Sequence, residues 1–358
     1  GWVLAGGLRA RLRDARRQSR LLVSVLVGFT LGYLVVGYAL FLLSDAAAGE
    51  VLVRSVYLSL DPSTRQRMSE AGSVARPIGI GSVMPGCAVA SVVESRDPGF
   101  RAGDTVEGML GWQEYAVAQG RELRMVDPDL APISTALGVL GMPGLAAYFG
   151  LLDICDPQPG ETVVVSGATG AVGMLVGQIA KIKGCRVLGV AGSDAKISWL
   201  IDELGFDAAF NYTTAGDCSR RLEELCPAGI DVYFDNVGGT ISDAIMRLIN
   251  AKARIAVCGQ VSEYNLEEPE FGPCWFRTLI VKQAKVQGFL VSRYAERFPE
   301  GLEQLAGWLK QGKLKYREDV AQGIEAAPQA FIGMLHGRNQ GNQLVQVSEL
   351  QTTVRKGA

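Results

Sequence analysis

Histidine is almost absent from this chain: there is one, His336. A Ser-His-Asp triad, a His-rich metal site or a histidine proton relay would each have to use that residue, and no G-x-S-x-G turn accompanies it. His336, beside Gly337 on the last apolar helical stretch, reads as structural. The seven cysteines (87, 155, 185, 218, 226, 258 and 274) never stand in C-x-x-C spacing. That scatter resembles reduced intracellular thiols more than a disulfide framework or a zinc site, so metal-independent chemistry is expected. An excess of one charge is also lacking. The formal net charge is −2, with no long basic or acidic run outside the extreme N-terminus, so composition gives no case for nucleic-acid binding.

One uncharged run near the N-terminus stands apart from the rest of the chain. Residues 21–43 (LLVSVLVGFTLGYLVVGYALFLL) carry no charge, and Arg9, Arg11, Arg13, Arg16, Arg17 and Arg20 precede them against a single acid, Asp14. As a helix the run would span roughly 34 Å, enough to cross a bilayer. Gly28 and Gly32 form a small-xxx-small pair of the kind that packs membrane helices. The sequence thus predicts a transmembrane helix and membrane association through 21–43. The positive-inside rule would then place everything after it outside the cytoplasm, where a reduced nicotinamide cofactor is scarce. A cleaved signal ending near Ala46-Ala47-Ala48 is a second reading, although the run is long for one. A third is that the stretch is foreign to the domain, between a first strand at Trp2-Val3-Leu4-Ala5 and a globular chain resuming at Gly49.

The 358 residues suffice for about two domains with separate cores. The organising stretch is 161–212. It reads strand, glycine turn, helix (171–183), strand, helix, strand. Val163-Val164-Val165 is too short and too β-branched for a helix and suits a parallel strand covered on both faces. The turn Ala168-Thr169-Gly170-Ala171-Val172-Gly173 is the dinucleotide fingerprint with alanine for its first glycine. Gly170 lets the backbone approach a pyrophosphate, Gly173 lets helix and sheet pack closely, and the amides at the helix start face the anion.

Before it, 50–59 (EVLVRSVYLS) alternates apolar and polar as a half-buried strand. Short strands at 78–83, 87–95, 105–111 and 114–117, separated by Gly and Pro turns, predict a small β-barrel. Residues 133–152 read as helical. Further strands at 232–236, 254–259 and 286–291, with helices between, predict a doubly wound parallel sheet. Helices at 298–311 and 325–336 and a strand at 343–347, returning to the barrel, complete the chain.

The second strand of the nucleotide unit ends at Ala191-Gly192-Ser193-Asp194-Ala195-Lys196. Asp194 argues for NAD, holding a ribose 2′-hydroxyl, but equally suits the cap region of the next helix. Ser193 and Lys196 argue for NADP, and Asn211-Tyr212 add another hydroxyl at the adenosine end; NADP is favoured. The stretches 234–239 (FDNVGG) and 258–262 (CGQVS) each follow a strand's carboxyl end, the rim where such a sheet binds its ligand.

These residues carry a resemblance. YLSLDP (57–62), GMPGLAAYFGLLDI (141–154), GATGAVG (167–173), AGSDAK (191–196), GFDAAFNY (205–212), FDNVGG (234–239), CGQVSEYN (258–265) and GRNQGNQLV (337–345) are similar to the zinc-independent medium-chain dehydrogenase/reductases. The branch is that of prostaglandin reductase, leukotriene B4 12-hydroxydehydrogenase, 2-alkenal reductase and curcumin reductase. The resemblance implies an α/β fold made of a GroES-like barrel and a Rossmann domain. The catalytic domain would take 49–140 and 292–358, the NADP-binding domain 141–291, and 1–48 would stand apart. It implies a cytoplasmic homodimer that uses NADPH to reduce the α,β double bond of enals and enones. By motif, Gly170, Ala171, Val172 and Gly173 would hold the pyrophosphate, and Ser193, Lys196 and Tyr212 the 2′-phosphate end. Asn236, Cys258, Gly259, Gln260, Val261, Ser262, Tyr264, Phe289, Leu290, Val291 and Asn339 would line the nicotinamide half. Tyr264 is the tyrosine of the S-x-Y-N motif. The chain departs from the family at Ser63-Thr64, where Tyr-Met is usual, at Ala146 for threonine and at Asn342 for lysine.

Hydride delivery to the β-carbon builds charge on the substrate carbonyl oxygen, and Tyr264 is the candidate donor to that enolate. Cys258, with no adjacent Lys or His, reads as a small buried side chain rather than a nucleophile. Two alternatives stand beside the reductase: a quinone reductase, and a membrane-tethered NADPH-binding module without turnover.

Overall fold

A computed structural model describes residues 48–68, 77–266 and 270–350. The run 21–43 and the WVLA strand lie outside the described residues. Among the described residues, no helix is long and apolar enough to cross a membrane.

Two sheets organise the chain. The first joins β1 (Glu50–Ser59), β2 (Ala88–Ser95), β3 (Thr105–Gly108), β4 (Tyr115–Gln119), β5 (Arg124–Met125), β12 (Glu318–Gln322) and β13 (Asn342–Gln346) in the order β12-β13-β1-β2-β3-β5, with β4 also on β1. β1 gives one edge to β2 and divides the other between β4 at its start and β13 at its end. The expected alternation along β1 is interrupted: Val51, Leu52 and Val53 are all buried. Register shifts against β2 at Leu52/Val53 and Ser55/Tyr57 explain this, since an extra residue turns the following side chains to the other face. This sheet is the body of the barrel-type domain, and α8 (Ala327–Leu335) packs on it through Ala327, Phe331 and Met334.

The second sheet is parallel, in the order β11-β10-β9-β6-β7-β8. Its strands are β6 (Thr162–Ser166), β7 (Arg186–Ala191), β8 (Ala208–Asn211), β9 (Ile230–Asp235), β10 (Ile249–Val257) and β11 (Lys285–Gly288). From β6 the chain winds outward one way through β7 and β8, then crosses back and winds the other way through β9 to β11. That reversal is the doubly wound topology expected from alternating strands and helices. The valines of β6 serve both faces. Val163 and Val165 pack with α1 (Met142–Phe149), α2 (Gly173–Ile182), α3 (Asp194–Asp202) and α7 (Phe298–Lys310). Val164 packs with α4 (Cys218–Leu225) and α5 (Gly239–Met246) on the other side. The helix α6 (Phe276–Lys282) precedes the edge strand β11 in the chain and packs against β10.

Several expectations are corrected. Residues 78–83 form no strand, because their backbone finds no ladder partner; they turn and bend instead. The single helix expected over 133–152 is a 3-10 turn (Ile133–Leu137), a glycine break, then α1 and a π-helical segment (Gly150–Cys155). At the break a Cβ on Gly141 would lie 2.0 Å from the Ala136 carbonyl oxygen, so the chain folds back on itself more tightly than a helix allows. The nucleotide-unit helix begins at Gly173 rather than 171, which leaves Ala171 and Val172 in the turn. β12 had no clear counterpart in the sequence pattern.

Candidate active site

The carboxyl ends of β6, β7, β9 and β10 share one rim, and each carries a segment singled out by sequence. After β6 the backbone turns at Gly167. A Cβ on Gly173 would sit 2.3 Å from the Gly167 carbonyl oxygen and 2.8 Å from the Ala168 Cα, so only glycine lets α2 start this close to the sheet. At Gly170 a Cβ would meet only the Gly167 carbonyl oxygen, at 3.3 Å, and otherwise open space. The Val172 amide has no acceptor among the described residues, while a parallel bridge between Gly170 and Gly341 turns the Ala171 amide towards the Gly341 carbonyl. A glycine facing open space, followed by a free amide at a helix start, is a cradle fitted to a phosphate chain.

The β7 end gathers the second group. Ser193 caps α3, its hydroxyl accepting from the Lys196 amide at 3.4 Å. Asp194 instead accepts a hydrogen bond from the Asn211 side chain at 2.8 Å, which occupies the carboxylate that would have argued for NAD. The Tyr212 ring lies over Gly192, with its hydroxyl 3.2 Å from where a Cβ would be. The Lys196 ammonium donates to the Gly337 carbonyl at 2.8 Å, and burial lowers its pKa, with Asp319 opposing. A cation and two hydroxyls meeting at one strand end is a donor set suited to a 2′-phosphate.

On the other side of β6, the turn after β9 and the loop after β10 are laced together. Asn236 donates from its side chain to the Ser166 carbonyl at 2.8 Å. Gly238 has φ of +79° and ψ of −158°, open only to glycine, and a Cβ there would strike the Gln260 side chain. Ser262 donates to the Val237 carbonyl at 2.7 Å, and the Val261 amide bonds the Asn236 carbonyl. Half-buried Tyr264 curls back so that its hydroxyl accepts from the Gln260 amide at 3.3 Å and lies over Gly259. No acceptor among the described residues takes the phenolic proton. Burial, then the charge of Asp61, raises the pKa of Tyr264 above its ordinary value, which keeps that proton in place. Burial pushes the Cys258 thiol up to about 12, with Asp61 and Asp235 adding to it, so it is a neutral packing group as the sequence suggested.

Phe289 packs edge-on against Phe234 with centroids 6.3 Å apart, and its ring occupies the space a Cβ on Gly150 would need. This fixes the strand-end loop that carries Leu290 and Val291; Leu290 itself is exposed. Asn339 bonds the Gly341 carbonyl within its own loop, and the Gly341 amide donates to Thr169 at 2.9 Å. That bond ties the last segment of the first sheet's domain to the glycine turn. Among the described residues, no group of three or more His, Cys, Asp or Glu is placed to hold a metal ion. His336 sits at the C-cap of α8, one residue before the Gly337 carbonyl that Lys196 bonds.

Sequence reasoning passed over Asp235 and Ser166. Asp235 is buried and accepts from Tyr233 (2.7 Å), Ser166 (3.0 Å), Val237 N (3.0 Å) and Gly238 N (2.9 Å) on one oxygen. Its other oxygen takes Ser242 (2.8 Å) and Gln260 Nε2 (2.9 Å). The available signal was an acid closing a mostly buried strand just before a glycine pair.

Comparison with known proteins agrees with this geometry. Residues 42–126 match a family described as the N-terminal domain of oxidoreductase, and residues 171–307 one described as zinc-binding dehydrogenase. The chain is 46% identical over 305 residues to an NADPH-dependent curcumin reductase of Escherichia coli, covering 84% of this chain and 88% of that protein. It is 46% identical over 304 residues to a 2-alkenal reductase (NADP(+)-dependent) of Nicotiana tabacum, with 84% and 88% covered. The structure of CurA from Vibrio vulnificus in complex with NADPH superposes with a TM-score of 0.81 at 46% identity, covering 86% of this chain and 93% of that one. The chain belongs to the medium-chain dehydrogenase/reductase family, in the branch of the curcumin, 2-alkenal and prostaglandin reductases.

Proposed function

We propose that this protein reduces the α,β carbon–carbon double bond of enals and enones with NADPH, and that Tyr264 is the proton-bearing donor to the substrate carbonyl oxygen. When bound, NADPH supplies the hydride that reaches the β-carbon. The glycine turn and the helix start behind it hold the pyrophosphate, and Lys196, Ser193 and Tyr212 recognise the 2′-phosphate. Lys196 exchanges its bond to the Gly337 carbonyl for that ligand.

The single observation that carries the reading is the state of the Tyr264 hydroxyl. It accepts from the Gln260 amide, its own proton has no acceptor among the described residues, and burial holds it protonated. A donor pre-aimed from a fixed loop strengthens as charge grows on the substrate oxygen, which lowers the barrier rather than tightening ground-state binding. Tyr264 therefore stabilises the enolate without serving as a base.

The test is NADPH oxidation with a short enal, with and without the enal, in wild type and Tyr264→Phe. Turnover only with the enal, and a kcat about 10²-fold lower in the variant at unchanged NADPH affinity, is the expected result. Unchanged turnover in Tyr264→Phe ends the donor assignment. Quinones that outpace every enal would move the activity to a quinone reductase.

The reading extends to organisation. Residues 141–291 carry the cofactor and 49–140 with 292–358 the substrate side, with α7 packed back into the core of the parallel sheet. A second copy of the chain is the expected partner: among the described residues β11 pairs with β10 alone, and Val286 on it and Phe276, Ile280 and Val281 on the preceding helix are exposed. An open edge flanked by apolar side chains is suited to pairing with itself about a two-fold axis. The cytoplasm is the expected compartment. A tether through 21–43 would be a separable property, tested by membrane-fraction recovery before and after deletion of residues 1–48.

A further inference from the structure

Among the described residues, Asp235 is the one buried carboxylate on the ligand rim. It is 4% exposed, takes the six donors named above, and forms no ion pair with any described lysine or arginine. All six donors are neutral. No neighbouring cation cancels the field of a carboxylate satisfied this way.

The sheet order places that charge. A dinucleotide crosses the rim where the strand order reverses, between β6 and β9, with its adenosine half towards the second strand of the βαβ unit, β7. The nicotinamide half then lies on the β9–β10 side, the side on which Asp235 ends β9. Two residues that enclose it, Gly238 and Gln260, belong to the turn and loop there.

We propose that Asp235 is an electrostatic positioning residue for the cofactor: its uncancelled charge stabilises the oxidised, cationic nicotinamide relative to the reduced, neutral one. This rests on the NADPH reading above. Giving up a hydride leaves the ring with one more positive charge. A fixed negative charge beside it favours that change and makes the bound cofactor a stronger reductant. Two unit charges about 10 Å apart at an effective dielectric of about 20 interact by an amount worth on the order of a tenfold change in an equilibrium constant, which sets the scale of the effect. A purely structural Asp235 would affect both forms equally.

The test is a binding titration with NADPH and with NADP+, read as the ratio of their Kd values, alongside thermal unfolding. Asp235→Asn removes the charge and keeps an acceptor oxygen, while Ser242 and a flipped Gln260 amide can accept from the new NH2. Ser242→Ala removes one donor and keeps the charge. The expected result is a Kd ratio, NADP+ over NADPH, that rises about tenfold in Asp235→Asn and stays within about twofold in Ser242→Ala. A folded Asp235→Asn with the wild-type ratio overturns the proposal. If Asp235→Asn does not fold, Ser242→Lys decides: it brings a compensating cation to the same carboxylate oxygen, and an unchanged ratio in that variant is equally fatal. Wild-type protein that binds neither nucleotide refutes the NADPH reading instead, so the two failures are distinct.

Discussion

Alanine at Gly170 and at Gly173 should separate ligand binding from folding within one turn. At Gly173 the added methyl would lie 2.3 Å from a carbonyl oxygen and 2.8 Å from a Cα, both backbone atoms, so the turn must move away from α2. Overpacking of that kind costs about 1–3 kcal/mol. In a domain of this size each kcal/mol shifts Tm by roughly 2–4 °C, so a fall of about 5 °C is expected. At Gly170 the methyl meets one atom at 3.3 Å, and the φ there is not in the left-handed region. The small strain is offset by the reduced freedom of the unfolded chain, worth about 0.4–1 kcal/mol, so Tm should stay within about 2 °C. The same methyl stands where a phosphate oxygen has to approach. NADPH affinity should therefore fall at least about tenfold, or about 1.4 kcal/mol, in both variants. Differential scanning fluorimetry and an NADPH titration read the two quantities. A Gly170→Ala protein with wild-type Kd would refute the placement of the phosphate chain across this turn.

Other outcomes follow from the same geometry. Lys196→Ala should raise the Kd for NADPH about tenfold or more and leave that for NADH nearly unchanged, as read by parallel titrations; equal losses would remove Lys196 from 2′-phosphate recognition. Because burial and Asp61 raise the Tyr264 pKa, kcat should not decline on the alkaline side until above pH 10, and a pH–rate profile falling near pH 8 would point to another group. Arg254 grips Glu161 with two guanidinium nitrogens and also bonds the Cys155 carbonyl at 2.7 Å, joining β10 to β6 and the π-helical segment. Burial alone would raise the Glu161 pKa, but the hydrogen bonds from Arg254 and the Gln158 amide outweigh it and hold the value below 4.5. Its stabilisation is therefore complete above that pH and lost as pH falls through the lowered value, and Arg254→Met should cost about 1–3 kcal/mol in urea unfolding at pH 7 while flattening that acid limb. Ile280→Glu should convert a dimer to a monomer by sedimentation if the β11 edge is the contact, with little change in Tm of the monomer.

The parallel sheet was legible because its evidence is local. Val163-Val164-Val165 before a glycine turn and an amphipathic helix state their fold within 20 residues, as do the strands at 186–191 and 50–59. The residues at the strand ends could be nominated for the same reason, since a glycine pair or a hydroxyl after an apolar run marks the rim. What only the tertiary structure decided lies between distant positions. The 78–83 segment has a strand's composition but no neighbour to bond with, and 133–152 has a helix's composition but too little room between Gly141 and Ala136. Gly341 reaching Thr169, Gln260 and Ser166 reaching Asp235, and Tyr264 turning its hydroxyl onto the Gln260 amide are pairings that no periodicity encodes. Periodicity reports which face of an element is apolar. Which buried donor meets which buried acceptor is set by how the elements stack, because a polar atom sealed from water must take whatever partner the packing brings within reach.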